Sequence, residues 1–381
     1  MRKLFIINDA SGTAAQYGIG TFIQELTESP AVENCQVLIV DVNSVSSLIE
    51  CEESKCATHF RIPRTKIRWD SDNYHYYRNI AYYLAASVSK EDEAVFHFNY
   101  LHHGTIASVL RELLPEARQI LTFHYQEEEL KDKGKSFFDT VDYVVTLCED
   151  TYRMINDVYG IGASKLRLIV NGIKDRYRET ENKQRISLRR KYGFTTEDKL
   201  ILFVGRISEQ KGIGVLLEAV KPLIEKDKNI HLLLVGSGDK ARYQQSSIGY
   251  WKNVHWVGKQ ERSTVFELYQ MADVGAFPSF QEQFGYAAIE MMMFGLPVVA
   301  YAESGGLKDI FQWDGICEYT VPTKDALGLS KKLESVLAQE TKDTILFREC
   351  FLKHYQDDKL KAYHELYFTE KRKKGRMPII V

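Results

Sequence analysis

The sequence predicts an α/β protein made of two tandem, doubly wound, Rossmann-like domains with a cleft between them. Short segments rich in Val, Ile and Leu alternate with helix-length amphipathic segments along nearly the whole chain, as in parallel sheets covered by helices on both faces. A charged stretch without apolar periodicity separates two such halves, as a linker does. We therefore expect domains at 1–172 and 199–350, a linker at 173–198, and within 351–381 a C-terminal helix that packs back on the first domain.

The individual strands follow from short apolar runs that end in turn residues. The first half supplies KLFIIN, QVLIVDV, AVFHFN, QILTFHY, YVVTLC and RLIV, and the second half supplies KLILFVG, IHLLLVG, VHWVG, VGAFP and PVVAYA.

Composition excludes several classes of protein. The 381 residues are 44% hydrophobic with a formal net charge of -2, whereas a dedicated nucleic-acid-binding protein needs a basic excess. No apolar run approaches the roughly eighteen residues of a membrane span, and the opening MRKLFIINDASG predicts a first strand rather than a signal peptide. Six cysteines without CxxC spacing indicate reduced thiols. We expect a cytoplasmic protein.

The most informative segment is PSFQEQFGYAAIEMMMFGLPVVAYAESGG, residues 278–306. Glu282 is predicted in the loop after a strand, and Glu290 about two turns later, inside the following helix. Ligands of open α/β sheets bind at this edge, where helix-terminal amides hold anions. One carboxylate can accept hydrogen bonds from sugar hydroxyls and the other from a ribose, with phosphate held by the amides between them.

Two basic residues accompany the first strand of the second half, in ILFVGRISEQKG. Arg206 follows the strand-ending Gly205, and Lys211 precedes a helix. At strand and helix ends facing a cleft, the two cations can neutralise a nucleoside diphosphate and stabilise its departure without a metal. Gly236 ends a further strand in a tight turn, and the loop backbone up to Lys259 can meet a nucleobase.

The first half carries weaker signals. Gly18 and Gly20 open a helix, with equal odds of helix-start flexibility and of close approach by phosphate or acceptor. His124 and His97 lie at the ends of predicted strands, where histidine can donate a hydrogen bond or share a proton; the sequence itself favours neither this role nor a structural one.

We expect neither a metal nor a cofactor. Asp70-Ser71-Asp72 precedes an aromatic helix, and N-capping of this helix explains the motif better than a site for a metal-bound nucleotide sugar. His102 and His103 have no carboxylate or cysteine at a matching spacing.

Together the motifs resemble the retaining GT-B glycosyltransferases of family 4, the group 1 glycosyltransferases. The resemblance covers the whole chain and is most specific from Gly205 to Gly306. Its motifs, in order, are the glycine-rich first loop, the strand-end histidine, IVNGI at 169–173, VGRISEQKG, LVGSG, and PSFQEQFGYAAIE with its GLPVVA and SGG sequel. Gln283 and Lys308-Asp309 depart from the usual pattern, at little cost to the assignment.

The resemblance implies roles for individual residues. Arg206 and Lys211 would bind the diphosphate, Glu290 the ribose and Glu282 the sugar, while His124 would lie beside the anomeric carbon. The full implied donor set is Gly18, Gly20, Gly205, Arg206, Lys211, Gly236, Lys259, Glu282, Phe284, Gly285 and Glu290, and the implied catalytic set is His124, Glu282, Arg206 and Lys211.

The expected reaction is metal-independent transfer of a hexosyl group, with retained configuration, from a nucleotide diphosphate sugar to an acceptor. A UDP-sugar is favoured over GDP- or ADP-sugar, and the acceptor is a glycan, a lipid-linked group or a peptide, shaped by residues 43–75 and 125–137. The alternatives are a nucleotide-sugar epimerase of the same fold and a non-catalytic nucleotide-sugar-binding partner. The basic run KRKKGR at 371–376 is either a solvated chain end or a peripheral contact with an anionic membrane or lipid-linked acceptor.

Overall fold

The computed structural model describes residues 1–10, 18–65, 73–124, 131–177, 182–245, 252–313, 315–339 and 343–368. The chain forms two compact units. Unit 1 comprises Met1–Lys174 and Asp357–Val381, and unit 2 comprises Asp175–Gln356. No helix in these ranges is long and apolar enough to cross a bilayer.

Unit 1 is built on an eight-stranded sheet in the order β3-β4-β2-β1-β5-β6-β7-β8. All neighbouring strands are parallel except β3, which runs antiparallel to β4. The chain builds outward from β1 on one side and then returns to β5 on the other, so the switch point lies between β1 and β5. The strands are β1 Arg2–Asp9, β2 Gln36–Ser44, β3 Glu50–Glu53, β4 Thr58–Pro63, β5 Glu93–Phe98, β6 Arg118–Thr122, β7 Tyr143–Thr146 and β8 Leu166–Leu168.

Helices cover both faces of this sheet. One face, including Phe5, Leu38 and Phe96, forms a continuous apolar core with the second to fifth helices. The other face carries His97, which contacts Phe22 of the first helix and Tyr363 of the last. The helices are α1 Gly18–Thr27, α2 Tyr74–Ala86, α3 Gly104–Leu113, α4 Lys131–Thr140, α5 Glu149–Tyr159 and, from the end of the chain, α14 Lys361–Phe368.

Unit 2 has a six-stranded, all-parallel sheet in the order β11-β10-β9-β12-β13-β14, with its switch point between β9 and β12. Its strands are β9 Lys199–Val204, β10 Ile230–Val235, β11 Val254–Gly258, β12 Val274–Phe277, β13 Val298–Tyr301 and β14 Thr320–Val321. Its helices are α6 Asn182–Lys191, α7 Ile213–Lys226, α8 Lys240–Gln244, α9 Arg262–Met271, α10 Tyr286–Met293, α11 Gly306–Trp313, α12 Ala326–Leu337 and α13 Thr344–His354.

All eleven strands predicted from the sequence are present, and the structure adds β3, β4 and β14. Strand β3 is the charged, exposed edge segment ECEE, and β14 has two residues, so neither produces an apolar run. The stretch expected as a linker contains α6, which belongs to unit 2. Arg185 and Arg189 of this helix both bind Asp273, at 2.6 and 2.7 Å.

Candidate active site

Arg206 and Lys211 lie in the loop that joins β9 to α7. Arg206 is exposed, and its guanidinium has no acceptor within the described ranges. Lys211 ends a short 3₁₀ turn directly before α7. The loop is fixed through its backbone, since the N–H of Phe280 donates to the carbonyl of Gln210 at 2.9 Å. The two cations therefore stand at the carboxyl end of the strand that forms the switch point of unit 2.

Glu282 lies in the loop between β12 and α10, on the neighbouring strand. Its carboxylate forms an ion pair with the ammonium of Lys211, and the two side chains are 12% and 18% exposed. The carbonyl of Glu282 accepts a hydrogen bond from the N–H of Gly306 at 2.8 Å, which fixes the backbone. The fold thus brings together two of the predicted site residues, which are 71 positions apart in the chain.

Glycine is required where the loops of unit 2 touch. Gly212 has a φ of +69°, and a Cβ there would stand 2.0 Å from the carbonyl oxygen of Pro278. A Cβ at Gly236 would stand 1.8 Å from the carbonyl oxygen of Gly205. These contacts lock the loops after β9, β10 and β12 against one another.

The N-terminus of α10 faces the same loop cluster. Gly285 precedes the helix with a left-handed φ of 84°, and the Phe284 ring is buried against Tyr286 and Tyr355. Within the described part of the chain, the backbone N–H groups of Phe284 and Gly285 have no acceptor. These amides and the helix dipole are available to an anion.

Glu290 lies inside α10 and is only 8% exposed. Arg262, the first residue of α9, donates to Oε1 from Nη2 at 2.7 Å and from Nε at 3.1 Å. The hydroxyl of Tyr269 donates to Oε2 at 3.0 Å, and burial followed by the charge of Glu290 raises the pKa of Tyr269 well above its usual value. Both carboxylate oxygens are therefore oriented by partners that the sequence analysis did not identify.

Lys259 is exposed directly after β11, the edge strand of this sheet. Strand β10 lies between β11 and β9, so Lys259 is two strands away from the strand whose following loop carries Arg206.

The first-unit candidates surround the ends of β5 and β6. His124 follows β6, contacts Phe22 at 5.1 Å between ring centroids, and bonds through Nε2 to Oδ1 of the buried Asn99 at 3.0 Å. Burial lowers the pKa of His124 to about 3, so the imidazole is neutral at physiological pH. His124 can exchange hydrogen bonds with a ligand but does not bring a positive charge.

His97 has a structural role. It is fully buried, with Nδ1 at 2.7 Å from the hydroxyl of Tyr367 and Nε2 at 2.7 Å from the hydroxyl of Thr122. Both nitrogens are satisfied within the chain, which resolves the alternative that the sequence left open.

Gly18 and Gly20 form the first turn of α1. A Cβ at Gly18 would meet no described residue within 4 Å, so packing against the described part of the chain does not require glycine there. Residues 11–17 of the preceding loop, Asp70–Asp72, residues 125–130 and the basic segment 371–376 lie outside the described residues.

A cavity of about 520 Å³ lies beside α1 in unit 1. It follows the sheet from Ala10 and Gly20, at the carboxyl ends of the strands, to Ser54 and Ala57, before the start of β4. Its remaining lining includes the charged or polar side chains of Asn8, Gln24, Glu28, Asp41, Lys55, His59 and Arg61.

Comparison with known proteins supports the resemblance for part of the chain. Residues 184–347, which lie in unit 2, match the model of the group 1 glycosyl transferases. The matched range contains Arg206, Lys211, Glu282 and Glu290 together.

The chain is similar to several proteins described as glycosyltransferases over part of their length. It is 32% identical to an uncharacterized glycosyltransferase of Methanocaldococcus jannaschii over 198 residues, which are 50% of each chain. It is 26% identical to a D-inositol 3-phosphate glycosyltransferase of Corynebacterium aurimucosum over 270 residues, which are 65% of this chain and 64% of that one. The matches thus span about half to two thirds of these relatives.

The fold has close counterparts among solved structures. Sucrose-phosphate synthase from Thermosynechococcus elongatus superposes with a TM-score of 0.76 at 20% identity, over 95% of this chain and 97% of that chain. The two parallel-sheet units described above are those of the GT-B fold, as the sequence predicted.

Proposed function

We propose that this chain is a retaining hexosyltransferase that uses a nucleotide diphosphate sugar, with UDP-sugar favoured over GDP- or ADP-sugar, and requires no metal. The acceptor is a glycan, a lipid-linked group or a peptide. The observation that carries the proposal is the ion pair between Lys211 and Glu282. Arg206 is exposed in the same loop as Lys211, and the amides of Phe284 and Gly285 have no acceptor among the described residues.

Lys211 and Arg206 would bind the diphosphate and stabilise it as the leaving group. A cation about 4 Å from a phosphate oxygen contributes roughly 4 kcal/mol at an effective dielectric constant near 20. Because negative charge grows on the diphosphate as the sugar departs, a fixed cation stabilises the transition state more than the ground state. The interaction would thus replace the charge that a metal supplies in other transferases.

Glu282 and Glu290 would bind hydroxyl groups rather than act as nucleophiles. Each carboxylate is paired with a cation, Glu282 with Lys211 and Glu290 with Arg262, and such pairing reduces nucleophilicity. Glu282 would accept hydrogen bonds from the sugar, and Glu290 from the ribose. This supports a same-face reaction in which the departing phosphate takes the acceptor's proton, which retains the configuration at the anomeric carbon.

His124 would act as a neutral hydrogen-bond partner of the sugar. With its pKa at about 3, it does not serve as a general acid near pH 7. This narrows the role suggested by the family resemblance.

The acceptor would bind to unit 1, in the cavity beside α1. One end of this cavity lies at the carboxyl edge of the sheet, and its lining offers both cations and carboxylates to hydroxyl or phosphate groups. One similar protein is a D-inositol 3-phosphate glycosyltransferase, so inositol phosphates belong among the acceptors to be tried. Lys55→Ala should raise the KM for the acceptor and leave donor hydrolysis unchanged, whereas the exposed Lys90→Ala should change neither.

The test of the reaction is incubation with a panel of uridine, guanosine and adenosine diphosphate sugars, with and without candidate acceptors. Nucleotide release and the anomer of the product are followed by NMR. We expect one donor to release its nucleotide with retained configuration, and Lys211→Ala to lower turnover at least about a hundredfold, from the loss of some 3 kcal/mol of transition-state stabilisation. The control is Lys221→Ala, an exposed lysine on α7, which should behave as wild type.

Three results would contradict the proposal. Inverted product configuration would exclude the retaining mechanism. Conversion of the donor to its epimer without nucleotide release would favour the epimerase. Unchanged turnover in Lys211→Ala would refute the diphosphate assignment.

A further inference from the structure

Unit 1 contains a histidine–carboxylate cluster that the proposed reaction does not use. The cluster consists of Asp9, His102 and His103, whose ligand atoms all lie within 4.8 Å of one another. Asp9 ends β1, and the two histidines belong to a 3₁₀ turn after β5. Since β1 and β5 are parallel neighbours, the cluster lies at the carboxyl ends of the two strands that form the switch point. Asp9 supplies the carboxylate that is missing near the two histidines in the sequence, and it is 93 residues from His102 in the chain.

The distances fit one shared ion. Oδ2 of Asp9 is 2.7 Å from Nε2 of His102 and 3.8 Å from Nε2 of His103. Two ligands at bond lengths of about 2.0–2.2 Å on a tetrahedral ion are roughly 3.3 Å apart. These two distances differ from this value by about half an ångström each, and the ligand nitrogens of the two histidines lie within 4.8 Å of one another.

His103 is the observation that points to a ligand. Its side chain is 0% exposed, and neither ring nitrogen has a hydrogen-bond partner in the described part of the chain. A buried polar atom without a partner costs about 1–3 kcal/mol. The pair of Asp9 with His102 is complete by itself and does not explain why a second histidine directs Nε2 towards the same oxygen.

Asp9 is held in a fixed position by a further residue. The amide of Asn43 donates to Oδ2 at 2.8 Å, and the carboxylate is 5% exposed. Metal-binding carboxylates are usually supported by such hydrogen bonds, which orient the ligand. His102 is 47% exposed, so an ion has access from solvent.

We propose that Asp9, His102 and His103 form a binding site for a divalent transition-metal ion of the Zn²⁺ type. Two imidazoles and one carboxylate are the donor set that suits Zn²⁺ and its first-row neighbours, and not Mg²⁺ or Ca²⁺. Three protein ligands leave a fourth position of a tetrahedral ion for water or an anionic oxygen. The site is independent of the nucleotide-sugar proposal, because all of its residues lie in unit 1 and none belongs to the donor set.

The experiment uses the full chain after removal of metals with a chelator. Co²⁺ is added first, because three-ligand tetrahedral sites give visible d–d absorption, and Zn²⁺ then displaces it in a calorimetric titration. We expect one equivalent to bind. Asp9→Asn and His102→Ala should each weaken binding at least about tenfold; His102 is half exposed, so its removal disturbs folding little, as circular dichroism would verify.

The matched control is His255→Gln. His255 lies 3.0 Å from His231 in unit 2, and these two form the other contact between histidine rings in the described ranges. Replacing His255 should leave metal binding unchanged. The absence of binding to wild type, or binding that Asp9→Asn and His102→Ala leave intact, would overturn the proposal. Because the experiment measures metal binding, its outcome does not depend on whether the chain has transferase activity.

Discussion

Replacing Arg262 by methionine tests how Glu290 is held in place. Arg262 makes two hydrogen bonds to a carboxylate that is 10% exposed, and its own side chain is 26% exposed. Hydrogen bonds to charged groups contribute about 1.5–3 kcal/mol, which we reduce to about 1–2 kcal/mol for the partial exposure. Unit 2 has about 180 residues, so the thermal midpoint should fall by about 2–8 °C.

The same substitution should weaken nucleotide binding. Without Arg262, Tyr269 is the one described residue that still orients Glu290, so the carboxylate no longer has a fixed position for the ribose hydroxyls. We expect the Kd for UDP, measured by calorimetry, to rise about tenfold, which corresponds to 1.4 kcal/mol. If another diphosphate proves to be the nucleotide of the donor, the same comparison applies to it.

A second variant separates the two effects. Adding Glu290→Gln to Arg262→Met replaces the unpaired carboxylate by a neutral amide, so much of the lost stability should return while nucleotide binding stays weak. The control Lys226→Met breaks an exposed ion pair with Glu334 in the same unit and should change the midpoint little. An unchanged Kd in Arg262→Met, or no recovery of stability in the double variant, would refute the reasoning.

Three further predictions concern stability. In urea denaturation, Gly212→Ala should destabilise unit 2 by more than the roughly 1–2 kcal/mol cost of a left-handed alanine, because its Cβ would stand 2.0 Å from the Pro278 oxygen. The control is Gly193→Ala, which has a φ of +83° and open space around its Cβ. This control should show only the conformational cost. Tyr367→Phe should cost about 1–3 kcal/mol in the same assay, because it leaves Nδ1 of the buried His97 without its partner at 2.7 Å; equal stability would contradict the assigned role of the hydroxyl. Burial lowers the pKa of His97 from 6.5 to about 3, so the unfolded chain takes up the proton first as the pH drops. The free energy of unfolding should therefore fall between pH 6.5 and 3, by roughly 2 kcal/mol between pH 6.5 and 5. His97→Gln should reduce this pH dependence, and a profile identical to that of wild type would contradict the prediction.

The sequence was sufficient for features that depend on local pattern. The eleven predicted strands are short apolar runs between turn residues, and burial in a parallel sheet requires this pattern. Strand β4, with the sequence THFRIP, has no such run and was not predicted. Glu282 and Glu290 lie where the strand and helix signals around them predicted, in the loop after β12 and inside α10. Their chemical roles remain predictions.

Contacts between distant segments could not be predicted in the same way. Arg262 meets Glu290 because α9 and α10 flank β12, and no local signal marks an arginine as the partner of a glutamate 28 residues later. The cluster of Asp9 with His102 and His103 depends on β1 and β5 being neighbours, which is a property of the sheet order. Helix α6 was expected as linker because it is strongly polar; Arg185 and Arg189 stabilise it through Asp273 rather than through apolar packing.

The division of unit 1 into two segments has a consequence for biosynthesis. A ribosome adds about 5–20 residues per second, so roughly 10–40 seconds separate Lys174 from Asp357, while unit 2 is made. During that interval the nascent chain lacks α14. The surface that α14 covers in the folded protein, including Phe22 and His97, therefore stays uncovered by this helix. Unit 2 can therefore finish folding before unit 1, although unit 1 emerges first.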